Sequence, residues 1–280
     1  MMYRLRLCAK RALTAALVPA ILLISCVAAI AAERQPVPAH VNALYRISFT
    51  ALGDIGYFRF KSDVNGEAYT LSGEAKIDTA IFDYDGKMTS AGTVPAARAR
   101  PAAYEFRFKQ QALFGKKKAK SLGIAFDPDG VNKVTWVPPE EPWKKVVPVT
   151  PAHLKSVLDP LSGVMALSLG NLAKPCEQRL PIYDGKQRFD VVFAPSGKPP
   201  ETKGDHVCQV HLVPISGHKK GEGAAAVVNG NIELVLRPVP KANVIIPFKV
   251  TVPTIIGSAV LTSEQVDITM PDQQRIALRR

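Results

Sequence analysis

Apolar and polar residues alternate with a period of two along most of the chain from residue 40 onward. The clearest examples are the stretches ALYRISFTALGDIGYFRFKSD and AAYEFRFKQQALFGKKKAKSLGIAFDPDGVNKVTWV. Turn-forming dipeptides such as Asn65-Gly66 and Asp129-Gly130 separate the alternating segments, and they readily adopt the positive φ angles of tight hairpins. Alternation with short links predicts a meandering antiparallel sheet.

The same pattern resumes after residue 179 in RLPIYDGKQRFDVVF, DHVCQVHLVPIS, NIELVLRPV and NVIIPFKVTVPTIIGSAVLTSEQVDITM. Prolines at positions 240, 247 and 253 accompany the last of these segments. Because proline cannot donate to a strand ladder, it is found at edges, bulges and strand ends. We therefore expect a curved sheet with irregular rims.

One segment, VTPAHLKSVLDPLSGVMALSLGN, departs from this alternation. Its apolar residues have helical spacing: Leu154, Val157, Leu158, Leu161, Val164, Met165 and Leu167. Thr150 precedes Pro151 as a candidate cap, and Pro160 in the middle predicts two short helices or one kinked helix, with Asp159 capping the second part.

These elements predict an all-β fold: one strongly curved antiparallel sheet, an incomplete barrel or β-spiral, in a single domain covering residues 33–280. The helical segment at 151–169 is expected to pack on the concave face, where its apolar stripe protects the open sheet.

The first 32 residues have the composition of a signal peptide. Arg4, Arg6, Lys10 and Arg11 precede an apolar run, and small residues offer cleavage after Ala31 or Ala32. Export to the periplasm is therefore expected. Two alternatives stay open: the LISC sequence ending at Cys26 has the form of a lipoprotein cleavage site, and the apolar run is long enough to span a bilayer if it is retained.

Removal of the leader leaves two cysteines, Cys176 and Cys208, in a compartment where thiols oxidise. A disulfide between them is expected, with two free thiols as the alternative. The 32 Lys and Arg that remain against 24 Asp and Glu give a charge of about +8. For an exported protein, this excess favours anionic lipid headgroups or acidic envelope polymers as neighbours rather than nucleic acid.

The tetrapeptide Tyr-Asp-Gly-Lys occurs twice, at Tyr84–Lys87 and at Tyr183–Lys186. Since Asp-Gly is a strong hairpin signal, we interpret both copies as turns rather than as a repeated active site. The flanking residues differ, so the sequence gives no sign of an internal duplication.

The sequence predicts no catalytic residue, cofactor site or metal site. SGHK at Ser216, GEGAAA at Gly221 and DPDGVN at Asp127 resemble fragments of catalytic, dinucleotide and calcium motifs, but each lacks the remainder of its motif. In a strand, His206 and Cys208 would face one side and His211 the other, so with His218 they do not form a convergent zinc set. We expect a protein without enzymatic activity.

Two further features have both a structural and a functional interpretation. The basic run from Lys116 to Lys120 is predicted at a hairpin tip, as a solvated loop or as a docking patch for anionic lipid. Trp136 and Trp143 either cover the core or form the rim of an apolar ligand site.

Several stretches together resemble an uncharacterised family of exported alphaproteobacterial proteins, a domain of unknown function (DUF3108). They are YRISFTALGDIGYFRF, FDYDGKMTSAG, RPAAYEFRF, VLDPLSGVMAL, IYDGKQRFDVVF and IPFKVTVPTIIGSAVL, within about residues 40 to 270. The order of DPLS and then YDGK-R is the most specific part. The resemblance implies a periplasmic β-rich protein with no assigned activity. More distantly, the chain is similar to β-spiral envelope proteins and lipoprotein carriers.

Three functional hypotheses follow. The first is an envelope protein that binds a lipid or an acyl chain in a cavity lined by aliphatic side chains beneath the helix. The second is a protein-interaction or scaffolding factor for envelope integrity, which predicts a filled core and an exposed apolar or charged patch. The third is a hydrolase, which needs convergent polar groups in a cleft.

Overall fold

The computed structural model describes residues 36–141, 144–219 and 232–280. The predicted signal peptide, the alternative lipidation site at Cys26, Trp143 and the GEGAAA stretch lie outside the described residues.

The described residues form one sheet of 14 strands and one α-helix. The helix, α1, is Pro160–Ser168, and short 3-10 helices lie at Pro95–Ala97, Pro151–Leu154 and Pro240–Ala242. The strands are β1 His40–Phe49, β2 Gly53–Asn65, β3 Ala68–Asp78, β4 Phe82–Thr93, β5 Arg100–Ala112, β6 Lys118–Asp127, β7 Gly130–Val137, β8 Arg179–Tyr183, β9 Arg188–Pro195, β10 His206–Ser216, β11 Ile232–Val239, β12 Val244–Thr254, β13 Gly257–Thr269 and β14 Arg275–Arg279.

The strand order is β7-β6-β5-β4-β3-β2-β1-β13-β12-β11-β10-β9-β8, and β14 pairs with the second half of β13. All of these pairs are antiparallel, and most join strands that are consecutive in sequence. The long-range pair is β1 with β13, which connects the two ends of the domain. The predicted antiparallel meander is therefore confirmed.

Contacts of α1 show that the sheet is strongly curved. The helix contacts β3 and β4 in one half of the strand order and β8 and β12 in the other half. In a flat sheet with about 4.8 Å between strands, β4 and β8 would be about 43 Å apart, whereas a helix is only about 10–12 Å wide. The sheet therefore wraps around α1, and the expectation of a helix on the concave face is confirmed.

The helical segment begins and ends as its sequence predicts. Thr150 and His153 form a reciprocal capping box on the 3-10 helix Pro151–Leu154. Asp159 then caps α1 by accepting hydrogen bonds from the backbone N–H groups of Leu161 and Ser162, both at 3.0 Å. The segment thus contains two short helices, one of the two arrangements expected.

The sheet does not close, because its end strands β7 and β8 run in the same direction and do not pair. The segment after β7 lies in the seam between them. The carbonyl oxygen of Leu154 lies beside Gly130, where an added Cβ would be 2.2 Å away, and Gly130 has a φ of 134°. Leu158 forms an isolated parallel bridge with Ile182 of β8. The connecting segment therefore contacts both end strands.

The disulfide between Cys176 and Cys208 is present, as expected, with a Cα–Cα distance of 5.3 Å. It joins the segment between α1 and β8 to β10, and Cys208 is fully buried in a cluster with Phe193, Leu234 and Leu236. A structural disulfide indicates a compartment in which thiols oxidise.

The interpretation of both Tyr-Asp-Gly-Lys copies as turns is wrong for the first copy. Tyr183–Lys186 does form the β8–β9 turn, with Gly185 at a φ of 90°. Tyr84–Lys87 lies inside β4 and pairs on both sides, with β3 and with β5. The turn preceding β4 falls at residues 79–81, where Thr79 supplies side-chain hydrogen bonds. A ladder on both sides holds Asp85-Gly86 extended despite its preference for turns.

Candidate functional site

One end of the sheet, here called the rim, collects several turns. Because neighbouring strands alternate in direction, β1, β3, β5, β8 and β12 all end on the same side. The following turns at residues 50–52, 79–81, 113–117, 184–187 and 255–256 therefore lie on this rim.

Near the rim, the concave face carries an aromatic row. The register aligns Phe58, Ala75, Gly86 and Phe108 across β2 to β5. The Tyr84 ring lies over Gly86, where an added Cβ would be 2.6 Å from the Tyr84 hydroxyl oxygen. The Tyr84 and Phe108 rings are stacked with their centroids 6.0 Å apart. Small residues in mid-row leave room for these rings, since larger side chains there would occupy the same space.

A groove of about 660 Å³ lies at the rim end of β4 to β7. Its residues are Asp85, Lys87, Arg107, Phe108, Lys109, Ala119, Lys120, Ser121, Val137 and Pro138. The β6–β7 pairing ends at Ser121 and Val137, so β6 extends past β7 at this point. This volume falls within the range of about 300 to 1,000 Å³ typical of small-molecule sites. Lys87, Arg107 and Lys109 lie on one face with a single carboxylate, Asp85, and favour an anionic group. Ala119 and Val137 lie on the same face and favour a hydrocarbon portion.

A second depression, of about 330 Å³, adjoins this groove and shares Asp85 and Lys109 with it. It continues toward the rim, where its residues include Ile77, Tyr84 and Lys117. The two depressions together form an elongated surface that leads from the edge of β6 toward the rim.

An ion-pair network fixes one wall of the groove across the seam. Glu140, in the segment after β7, pairs with Lys120 of β6 and with Lys186 of the β8–β9 turn, the latter at 2.6 Å. Hydrogen bonds from Lys120 and then from Lys186 hold the pKa of the Glu140 carboxyl below its usual value. Glu140 therefore links Lys120 to Lys186 on the far side of the seam.

The DPLS sequence builds a buried polar cluster beneath the N-terminus of α1. Asp159 Oδ2 accepts hydrogen bonds from the hydroxyls of Ser90 at 2.8 Å and Ser162 at 2.6 Å. The Tyr69 hydroxyl and Ser162 Oγ are hydrogen bonded at 2.8 Å. Burial raises the pKa of the Asp159 carboxyl above its usual value. With Asp159 and Ser162 fully buried, the cluster attaches α1 to β3 and β4 and has no cleft through which a substrate could reach it.

Among the described residues, the cavity beneath the helix is much smaller than the ligand hypothesis predicts. The cavity there, between α1, β2 and β12, has a volume of about 40 Å³ and is lined by residues such as Phe60, Met165 and Ile246. Leu161 and Met165 are buried in the main core and fill the space that a carrier would leave open. This space is too small for a ligand of lipid size.

The other sequence candidates do not assemble into a reaction site. In residues 36–141, 144–219 and 232–280, no cluster of His, Cys, Asp and Glu could hold a metal ion. Asp127 caps its own turn by accepting from the backbone N–H groups of Asp129 and Gly130. Ser216 ends β10, and Lys219 forms a bridge with Val146, so the SGHK stretch does not begin a helix in the described part of the chain.

Sequence reasoning missed the cations of the groove. Arg107 and Lys109 alternate with Phe106 and Phe108 in β5, and this spacing places the charges on one face and the rings on the other. The alternation of charged and aromatic residues is visible in the EFRFKQ sequence. Any strand with one exposed face shows the same alternation, so it does not by itself indicate a binding site. The placement of Lys87 beside Arg107 depends on the register of β4 and β5, while the register of β5 and β6 pairs Lys120 with Phe108 on the opposite face.

The described residues include no helix with the length and hydrophobicity needed to cross a bilayer.

Comparison with known proteins gives a match to the family model described as a protein of unknown function (DUF3108) over residues 44–263. No curated protein matches the chain. The chain is similar in fold to a crystal structure of a beta-barrel-like protein of domain of unknown function DUF1849 from Brucella abortus, with a TM-score of 0.50 and 14% identity, covering 83% of this chain and 99% of that one.

Proposed function

Given that the chain belongs to the DUF3108 family of proteins of unknown function, we propose that it is a non-enzymatic protein of the periplasmic envelope that binds an amphiphile with an anionic group, such as a lipid or a fatty acid. The predicted export signal and the buried disulfide support the compartment. The observation that carries the proposal is the 660 Å³ groove, in which Lys87, Arg107 and Lys109 lie on one face beside apolar side chains.

The residues of the groove suit the two parts of an amphiphile. Arg107 can hold a carboxylate or phosphate through two parallel N–H donors, and Lys87 and Lys109 flank it on the same outer surface. Ala119 and Val137 lie on the same face as Arg107 and provide apolar contact surface within the groove. Since Val137 is already exposed, covering it with hydrocarbon would be favourable.

Native mass spectrometry of the protein purified gently from its own envelope tests this proposal, followed by lipid analysis after denaturation. We expect an anionic lipid at one per protein in the wild type. The double variant Arg107→Glu/Lys109→Glu should reduce its occupancy at least tenfold. The matched control is Lys61→Glu/Lys133→Glu, which reverses two charges on exposed strand positions outside the groove and should leave occupancy unchanged.

A second candidate is a protein-interaction factor for envelope integrity. The filled space beneath α1 favours it, because a filled core with an exposed charged patch is what this hypothesis predicts. A wild-type mass without bound lipid would contradict the lipid proposal and support this candidate. The hydrolase hypothesis is tested in the same sample, because an esterase would release fatty acid from a bound ester lipid during incubation.

A further inference from the structure

Large apolar side chains are exposed at the tips of four rim turns. These side chains are Leu52, Ile81, Leu113, Phe114, Ile255 and Ile256, and we call them the apolar tips. Phe114 is 99% exposed and Ile255 is 85% exposed. Single exposed apolar residues are ordinary, but a set that shares one end of a sheet marks an interaction site.

The turns that carry the apolar tips are linked to one another in space. The backbone N–H of Leu113 donates to the carbonyl oxygen of Ile81 at 2.9 Å, which joins the β5–β6 turn to the β3–β4 turn. The backbone N–H of Thr50 donates to the carbonyl oxygen of Ser258 at 3.1 Å, which joins the β1–β2 turn to the β12–β13 turn. The apolar tips therefore form two linked pairs of turns, and these pairs follow one another along the strand order at the rim.

The turns at the opposite end of the sheet do not carry exposed large apolar side chains in the described part of the chain. These turns include Asn65-Gly66, residues 94–99 and Asp127–Gly130. The molecule is therefore polarised from one end to the other.

Positive charge accompanies the apolar tips. Lys116, Lys117 and Lys118 lie on or beside the β5–β6 turn that carries Leu113 and Phe114, and all three are exposed. Carboxylates also lie near the rim: Asp54 is paired with Arg46 at 3.0 Å, and Asp78 and Asp83 flank the β3–β4 turn. The net positive charge is therefore concentrated at the β5–β6 turn.

We propose that this rim docks on an anionic lipid bilayer, with the apolar tips entering the interface and the lysines contacting the headgroups. Tips that end on one side of a sheet can meet a planar surface together. Interfacial binding combines apolar insertion with attraction between Lys and anionic lipid. A second copy of the chain is disfavoured, because an isologous contact between two rims would bring the lysine clusters together. This inference concerns the rim and does not depend on a ligand in the groove.

Co-sedimentation with vesicles of phosphatidylglycerol and phosphatidylethanolamine tests the proposal. Cys26→Ser is present in every protein, so that a lipid anchor does not contribute. We expect binding that weakens as salt increases and that falls at least tenfold on neutral phosphatidylcholine vesicles. Leu113→Ser/Phe114→Ser and Lys116→Glu/Lys117→Glu should each lower binding at least tenfold. The controls Val213→Ser and Lys133→Glu should bind as the parent does.

A spectroscopic measurement reports which part of the molecule touches the bilayer. Tryptophan at position 114, from Phe114→Trp, should shift its emission to shorter wavelength and be quenched by brominated lipid. The matched probe Glu67→Trp, at the opposite end, should show neither effect. Unchanged emission at position 114, or equal vesicle binding by parent and tip variants, would overturn the proposal.

The two proposals fail in different ways. The groove variant Arg107→Glu/Lys109→Glu should lose its copurified lipid. Its vesicle binding should still fall when Leu113→Ser/Phe114→Ser is added. The Leu113→Ser/Phe114→Ser variant should keep the copurified lipid. If the tip variants instead change the oligomeric state and leave vesicle binding unaltered, the rim is an interface between copies of the chain.

Discussion

Trp136, near the end of the first strand in the sheet order, donates a hydrogen bond from its indole Nε1 to the carbonyl oxygen of Gly185, just after the last strand, at 3.3 Å. Its side chain thereby bridges a seam that no backbone ladder closes. The two end strands run in the same direction and do not pair with each other. The seam is therefore held by side chains such as Trp136 and Glu140, and the groove lies at its rim end.

Glu140→Gln should loosen the seam. Hydrogen bonds from Lys120 and Lys186 lower the pKa of the Glu140 carboxyl in the folded protein. The ionised carboxylate therefore stabilises the fold at pH values above 4.5, the usual pKa, and this stabilisation is lost as the pH falls through the lowered pKa. Loss of these partly exposed pairs should cost about 1 kcal/mol near neutral pH. Hydrogen exchange of β7 and β8 amides should quicken in this variant.

The exposed neighbour Glu141 provides the control for that experiment. Glu141→Gln removes the same charge next to the same position, and it should leave the exchange of the β7 and β8 amides unchanged. Equal effects from the two variants would mean that net charge, and not the bridge across the seam, governs the exchange.

Asp159→Ala should be among the most destabilising substitutions. Loss of the α1 cap costs about 1 kcal/mol, and the buried hydroxyls of Ser90 and Ser162, left without their acceptor, cost about 1–3 kcal/mol more. Urea unfolding followed by far-ultraviolet circular dichroism measures the difference. A loss below about 0.5 kcal/mol would contradict the structural role of this cluster.

Asp159→Asn should change how stability depends on pH. Burial raises the pKa of Asp159 in the folded protein above 3.8, the value in the unfolded chain. The stability gained from the protonated carboxyl is therefore fully present below pH 3.8 and is lost as the pH rises through the pKa of the folded protein. The asparagine keeps an acceptor for the cap and does not ionise. Relative to the wild type, its free energy of unfolding, measured by urea unfolding at a series of pH values, should therefore rise as the pH increases above 3.8. Parallel pH profiles for the two proteins would contradict the prediction.

Reduction of the Cys176–Cys208 disulfide should destabilise the protein. The bridge spans a sequence separation of 32 residues, and the loop-entropy model assigns about 3 to 4 kcal/mol to such a loop. Urea unfolding with and without reductant, together with a count of the thiols gained, measures the effect. An unchanged unfolding midpoint in a sample that has gained two thiols would contradict the expectation.

Gly130→Ala should be more costly than Gly66→Ala. Both glycines have positive φ angles, but an added Cβ at Gly66 meets nothing within 4 Å, whereas at Gly130 it would lie 2.2 Å from the carbonyl oxygen of Leu154. Backbone strain of this kind costs about 1–3 kcal/mol, and the clash adds to it. Thermal unfolding of the two variants gives the comparison. Equal losses would mean that the segment beside β7 moves aside freely.

The sequence was sufficient to predict the strand positions, the helix starts at Thr150 and Asp159, and the disulfide. Each depends on local chemistry: alternation over a few residues, a cap next to its proline, or two cysteines in an oxidising compartment. Local chemistry also misled, since the Asp85-Gly86 dipeptide lies in β4, where pairing on both sides outweighs its turn preference. A dipeptide specifies a turn only when no ladder competes for its backbone groups.

The groove, the rim and the filled interior were decided by tertiary structure alone. Lys87, Arg107 and Ser121 come from three strands, and they share one face because the register pairs Lys87 with Arg107 and Arg107 with Ser121. The apolar tips share one end because strand directions alternate through an order that includes the long-range β1–β13 pair. The sequence by itself determined which residues form strands, turns and caps, since those choices involve neighbours along the chain. Which side chains meet depended on pairing between distant strands, for which the chain carries no local signal.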